Sequence, residues 1–158
     1  MKLLIYGSRG WIGKQLLEIL HSQGIPYHIG AARVDDTDKL DEELKRISPT
    51  NVISFIGRTH GEICGKKYST IDYLEQPGKL QENLRDNLFS PLSLAILCNS
   101  QNIHYTYLGT GCIFTYDEDH PFGKEESGFL ENSLPNFFGS GYSTAKGFTD
   151  RLITMIGG

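Results

Sequence analysis

The chain has 158 residues, 39% of them hydrophobic and 22% charged, a size and balance that suit one globular domain with its own core. A formal net charge of −4 with no basic block weighs against nucleic acid as the main partner. No apolar run approaches the roughly 20 residues needed to span a bilayer, so no membrane segment is expected. The three cysteines, Cys64, Cys98 and Cys112, are far apart and odd in number, and the five histidines are scattered. Neither pattern is that of a disulfide framework or a zinc site, so a reducing, cytoplasmic setting without a metal is expected. A few local arginines can still hold a phosphate on an acidic protein.

The N-terminal Met-Lys-Leu-Leu-Ile-Tyr-Gly reaches a glycine after a few apolar residues, which reads as a buried strand over 2–6 and not as a signal peptide. Ile12, Leu16, Leu17, Ile19 and Leu20 then recur at helical spacing, predicting a helix from Trp11 to Leu20 that Gly24 stops. A second strand is predicted over 25–31. A helix follows over 35–48, through Leu40, Leu44 and Ile47, ending before Pro49. Residues 51–56 read as a third strand. The segment 57–78 is polar, holds glycines and a proline, and is long for a loop inside a compact domain, which marks it as functional. Residues 79–100 read as a helix with a kink or break at Pro91, and 103–108 as a β-branched and aromatic strand. After a Gly-, Pro- and Asn-rich loop of about thirty residues, 140–156 closes the chain as a helix. Strands alternating with helices predict the α/β class, a Rossmann-like doubly wound parallel sheet, as one domain over 1–158. Ligands of such sheets gather beyond the carboxyl ends of the strands, where the glycine turn and the loops after Ile56 and Leu108 all fall.

Gly7-Ser8-Arg9-Gly10-Trp11-Ile12-Gly13 sets glycines three residues apart between the first strand and the first helix. Gly7 permits a tight turn, Gly10 lets the backbone approach a pyrophosphate, and Gly13 lets the helix pack close to the strand. The helix start then offers free N–H groups and a favourable dipole to the anion. An ordinary turn before a helix would look similar in a chain with 18 glycines, but the position after the first strand favours a dinucleotide. The second strand ends Gly30-Ala31-Ala32-Arg33, with Arg9 in the glycine turn. Two guanidinium groups there can clamp the 2′-phosphate of NADP. Arg33 can instead be a solvated loop residue, and Asp35 and Asp36 can serve NAD or the adenine.

Tyr142-Ser143-Thr144-Ala145-Lys146 places a phenol and an ammonium four residues apart on one helix face. A lysine cation beside a phenol favours the phenolate, so the pair can exchange a proton with an alcohol or ketone oxygen while a nicotinamide exchanges hydride at carbon. Alone, the pair fits a surface helix equally well. Thr110, just after the strand ending at Leu108, adds a hydroxyl that can orient a carbonyl oxygen, or it is a plain turn threonine.

With the glycine turn, Asn87, Thr110 and the Tyr142/Lys146 helix in this order, the chain resembles the extended short-chain dehydrogenase/reductase family over essentially all 158 residues. Within it the chain is similar to the dTDP-4-dehydrorhamnose reductases and GDP-fucose synthases. It is most similar to the UDP-4-keto-6-deoxyglucose 3,5-epimerase/4-reductases of UDP-rhamnose synthesis. That last likeness rests on Gly10-Trp11-Ile12-Gly13, on Thr110-Gly111-Cys112-Ile113-Phe114 with Tyr116-Asp117 and His120-Pro121, and on Pro135-Asn136-Phe137 with Gly139-Ser140 before Tyr142. The resemblance implies NADP(H) held by Gly7, Arg9, Gly10, Trp11, Ile12, Gly13 and Arg33 together with Tyr142 and Lys146. It also implies 4-keto reduction by Thr110, Tyr142 and Lys146, and a UDP-sugar substrate. Cys112 is implied as an acid/base for epimerisation beside the ketone, a role in reach of a thiol; a small buried hydrophobe is the other reading. A homodimer through the last helices is implied as well. Family members run to about twice this length, so the expectation is the N-terminal portion of a longer enzyme, or a naturally shortened one, without the C-terminal substrate lobe. Such a chain binds cofactor better than it turns over sugar. A dTDP-4-dehydrorhamnose reductase and a non-catalytic dinucleotide-binding regulatory subunit are the alternative readings.

Overall fold

In the computed structural model, which describes residues 1–157, the first apolar run forms strand β1 (Leu3–Tyr6), buried along its whole length. Its side chains alternate between two faces, as a strand requires. Leu3 and Ile5 pack with Leu20 and, at their edges, with Leu16, Leu17, Ile53 and Phe55, so helix α1 (Trp11–Ser22) covers that face. Leu4 and Tyr6 face a larger cluster that includes Leu40, Leu44, Leu94, Cys98 and Ile153. These come from α2 (Thr37–Ile47), α4 (Ser90–Ser100) and α5 (Gly141–Ile156), which cover the other face.

The remaining strands of this sheet are β2 (Tyr27–Ile29), β3 (Asn51–Ser54) and β6 (His104–Tyr107). The order is β2-β1-β3-β6, all parallel, with Leu3 opposite both Tyr27 and Asn51, and Asn51 opposite His104. The chain leaves β1 toward β2, then returns over it to reach β3. The strand order therefore reverses between β1 and β3, and a crevice opens at their carboxyl ends. This is the predicted α/β, Rossmann-like arrangement.

The segment 57–78 differs from the expected open loop. It holds an antiparallel hairpin, β4 (Gly61–Ile63) and β5 (Lys66–Tyr68), followed by a 3₁₀ turn over Ile71–Tyr73. The two-residue link is Cys64-Gly65, with φ of 49° and 81°, the pair of positive values that a tight hairpin needs. The expected break at Pro91 is also absent. Helix α3 (Leu80–Leu84) runs through a π-helical stretch, Arg85–Phe89, into α4, with Pro91 in the first turn of α4. Pro91 has no N–H to offer the carbonyl four residues before it, that of Asn87. The Thr149 hydroxyl of α5 donates to that freed oxygen at 2.6 Å, which ties the two helices together.

One buried carboxylate shapes the end of β2. Glu43 on α2 is 5% exposed and accepts the N–H groups of Ala31 (3.0 and 3.1 Å) and Ala32 (3.0 Å) and the Tyr6 hydroxyl (2.8 Å). Burial alone raises the Glu43 carboxyl, but the Ala32 and Ala31 amides, Tyr6 and Arg46 outweigh it and hold the group below its ordinary range. A lowered carboxyl contributes stability that is present above its unfolded value and lost as pH falls through the folded one. Glu43→Gln is expected to destabilise the fold by about 1–3 kcal/mol at neutral pH. In urea denaturation the gap between the two proteins should narrow as pH falls below the ordinary carboxyl value, because the unfolded chain takes up the proton before the folded one.

Candidate cofactor and catalytic site

The glycine turn sits at the crevice between β1 and β3. Gly7 has φ of 75°, and a Cβ on it would lie 2.7 Å from the Phe55 carbonyl carbon. A Cβ on Gly13 would lie 2.5 Å from the Gly7 carbonyl oxygen, so turn and helix approach too closely for any side chain there. Gly10 caps α1 without a side chain to offer, and among the described residues no side chain caps the helix. Lys14 bonds back to the Gly10 carbonyl at 3.0 Å, while the N–H groups of Trp11, Ile12 and Gly13 stay available at the positive end of the dipole. The Trp11 ring is 80% exposed, so Trp11 and Ile12 serve this site through their backbone.

A cavity of about 380 Å³ opens there, lined by Gly7–Gly10, Gly30–Asp35, Phe55–Arg58, Asp86 and Ser90. Arg9 and Arg33 both line it, and a neighbouring carboxylate holds Arg33. Asp35, two residues along, takes Nε and Nη2 of Arg33 at 2.9 and 2.8 Å. That local fork also holds the Asp35 carboxyl below its ordinary range. Beside it, Asp86 pairs with Arg58 at 2.6 Å and Arg85 at 2.7 Å. Burial raises the Asp86 carboxyl, and the two arginines more than reverse that.

The second group gathers beyond β6. Thr110 caps a 3₁₀ turn, Gly111–Ile113, and its hydroxyl accepts the Cys112 N–H at 3.3 Å. The Tyr142 phenol, from the first turn of α5, lies near Thr110 and Cys112, with no hydrogen bond to either among the described residues. Thr110, Cys112 and Tyr142 are thus neighbours. Cys112 is exposed, which removes the buried-hydrophobe reading; Cys98 is the buried thiol, pushed up to about 12 by burial.

Lys146 lies one helical turn on, 4% exposed. It does not bond to Tyr142. Its ammonium donates to the Tyr107 hydroxyl and, at 3.5 Å, to the Leu108 carbonyl, and it stands 4.3 Å from the centre of the Tyr107 ring. The expected acidified phenol is also corrected. Burial raises the Tyr142 phenol, the Thr110 hydroxyl works against this, and Cys112 adds to it. Burial lowers Lys146 to about 8, with Asp150 acting the other way. Both groups are buried, and burial disfavours whichever form is charged.

Two residues of the site carry no motif. Tyr107, at the end of β6, holds Lys146 in place. Glu75, in the segment after the hairpin, accepts the N–H groups of Gly141 and Tyr142, both at 2.9 Å. Tyr73 and Leu74 just before it are buried against the Tyr142 ring. Alternation and helical spacing report neither, because each acts across the fold. Asn87 is 1% exposed; its amide accepts the Arg58 N–H (2.8 Å) and donates to the Arg58 carbonyl (2.9 Å) and to Asn83 (2.8 Å). The loop beyond Cys112 is fastened by the Asn136 amide, which donates to the Thr115 carbonyl (3.0 Å) and Asp117 (2.8 Å), and by rings of Phe114, Phe129 and His120 stacked in turn. No described helix is long and apolar enough to cross a membrane.

No protein-family model matches the chain. A UDP-rhamnose synthase from Acanthamoeba polyphaga mimivirus is 54% identical over 153 residues, which are 97% of this chain and 51% of that protein. Its crystal structure matches with a TM-score of 0.87, over 99% of this chain and 52% of that one. A trifunctional UDP-glucose 4,6-dehydratase/UDP-4-keto-6-deoxy-D-glucose 3,5-epimerase/UDP-4-keto-L-rhamnose-reductase from Arabidopsis thaliana is 37% identical over 153 residues, covering 97% of this chain and 21% of that one. A dTDP-4-dehydrorhamnose reductase from Bacillus anthracis shares the fold, with a TM-score of 0.75 at 17% identity over 98% of this chain and 49% of that one. The chain spans about half the length of the mimivirus synthase and about a fifth of the Arabidopsis enzyme. It is a homologue of the mimivirus and Arabidopsis rhamnose nucleotide-sugar enzymes and carries a Rossmann-like fold.

Proposed function

We propose that residues 1–158 are the NADP(H)-binding and acid/base portion of a nucleotide-sugar 3,5-epimerase/4-reductase that makes UDP-L-rhamnose from UDP-4-keto-6-deoxyglucose. The observation that carries this is the meeting of Thr110, Cys112 and Tyr142 at the carboxyl edge of the sheet whose switch point holds the glycine cradle. The relatives support the sugar: the mimivirus protein is a UDP-rhamnose synthase, and the Arabidopsis enzyme acts on UDP-4-keto-6-deoxy-D-glucose.

The cradle fits a dinucleotide, because side chains are excluded at Gly7 and Gly13 and three N–H groups start α1 without a side-chain cap. Those amides would hold the pyrophosphate, with Arg9 and the Asp35-held Arg33 at the adenosine end for the 2′-phosphate. Bound NADPH supplies hydride to C4 of the sugar. The chain's own residues handle the protons. Thr110 orients the C4 carbonyl oxygen, and Tyr142, kept protonated by burial, delivers a proton to it. Lys146 places a cation beside the oxygen as negative charge develops. Before reduction, Cys112 takes a proton from a carbon next to the ketone, and Tyr142 and Thr110 stabilise the enolate. Inversion needs a proton from the opposite face, which these residues do not supply. Homodimer pairing through α4 and α5 belongs to the same reading, supported by the exposed Ile96, Phe148 and Met155.

NADPH oxidation on addition of UDP-4-keto-6-deoxyglucose, with UDP-L-rhamnose as product, tests this reading, and a parallel dTDP-sugar reports the nucleotide. No oxidation by a full-length form, with calorimetry showing cofactor bound, sinks it. Cys112→Ser should slow deuterium exchange at C3 and C5 about a hundredfold and spare reduction of an already epimerised sugar; equal loss of both removes Cys112 from its role. The reduction rate should fall as pH rises through about 8, where Lys146 loses its charge. Lys146→Arg, charged throughout, should move that limb upward, and an unmoved limb assigns it elsewhere.

A further inference from the structure

The first turn of a helix leaves four N–H groups without intrahelical partners. In α5 the three that follow the cap residue Ser140, those of Gly141, Tyr142 and Ser143, are taken, and Thr144 makes the first intrahelical bond. Ser143 donates to the Ser140 hydroxyl at 3.0 Å and Thr144 to the Ser140 carbonyl at 3.0 Å. Ser140 is therefore a complete cap in the ordinary sense. The other two donors, Gly141 and Tyr142, go to the two oxygens of one carboxylate, Glu75, that lies 66 residues earlier in the chain.

Glu75 is exposed, but the two residues before it are held firmly. Leu74 is 3% and Tyr73 4% exposed, and both pack with the Tyr142 ring. The Tyr73 hydroxyl donates to Glu82 at 2.9 Å and accepts from Lys79 at 2.7 Å. One short stretch, Tyr73-Leu74-Glu75, thus grips Tyr142 twice, at the ring by apolar contact and at the amide by a charged hydrogen bond. The same inserted segment begins at Arg58, whose N–H and carbonyl are held by the Asn87 amide beside the cofactor cavity.

We propose that Glu75 is a positioning residue for Tyr142: its carboxylate fixes the start of α5 so that the phenol meets Thr110 and Cys112. The proposal rests on Tyr142 as the proton donor of the reading above, and it adds a determinant that lies outside the glycine, Thr110 and Tyr142/Lys146 motifs. A cap serving only helix stability would leave the phenol's surroundings unchanged once the fold is intact. A positioning group would not, because losing it frees the ring from Tyr73 and Leu74.

The test is titration of the Tyr142 phenol by NMR of ring-labelled tyrosine in the 158-residue protein, with Tyr142→Phe to assign the signal. Circular dichroism establishes that each variant is folded. In Glu75→Ala the phenol should titrate closer to the ordinary tyrosine value of about 10 than in the unaltered protein. Glu75→Gln, which keeps one acceptor, should move it less than half as far. Under the reductase assay Glu75→Ala should lower kcat about tenfold with KM for NADPH within about twofold. An unmoved phenol in folded Glu75→Ala overturns the proposal, and so does a Gln variant that shifts as far as the Ala variant. Titration needs no turnover. A moved phenol in the 158-residue protein, with no NADPH oxidation by a full-length form, refutes the enzymatic reading and leaves the positioning role standing.

Discussion

Two helices start at the carboxyl edge of the same parallel sheet, and the fate of their first N–H groups organises everything around them. At α1 the cap is a glycine, the donors have no side-chain acceptor, and the turn before them is so tight that a Cβ at Gly7 or Gly13 would collide with backbone. An anion is the natural acceptor for such a helix start. At α5 the donors are filled by Ser140 and Glu75, so that helix start already has its acceptors within the chain. On the proposed reading, one end receives charge and the other holds a phenol still.

The supports of the two ends are linked. The segment that carries Glu75 leaves β3 at the cofactor cavity, where Asn87 clamps Arg58. Asn87 sits in the π-helical stretch, and Pro91 frees its carbonyl for Thr149 on α5. A helix irregularity, a missing N–H and a buried threonine thereby connect the wall of the cavity to the helix of Tyr142 and Lys146. Lys146 is braced from the sheet by Tyr107 and the Leu108 carbonyl and not by Tyr142. Lys146 is buried there, which is why its pKa falls to about 8.

The parts legible in the sequence were those set by local rules. The apolar runs over 2–6 and 51–56, helical spacing from Ile12 to Leu20, and the glycine spacing each report geometry within a few residues. Thr110, Cys112 and Tyr142 were found as separate signals, and the fold brings them together. The hairpin at 61–68 was missed because Cys64-Gly65 is a rare pair for a tight turn and Lys66-Lys67-Tyr68 shows little alternation. Pro91 misled because a proline signals a break, whereas a π-helical turn before it absorbed the lost bond. The Arg33–Asp35 fork, the Lys146–Tyr107 bond and the Glu75 clamp depend on rotamers or on distant partners, which residue spacing does not encode.

Amide hydrogen exchange with and without NADPH tests the contrast between the two helix starts most directly. The account expects the amides of Trp11, Ile12 and Gly13 to slow at least about tenfold when NADPH is added, while those of Gly141 and Tyr142 are already slow without it. Exchange at Trp11–Gly13 that ignores NADPH, or Gly141 and Tyr142 amides that exchange freely in its absence, would contradict it.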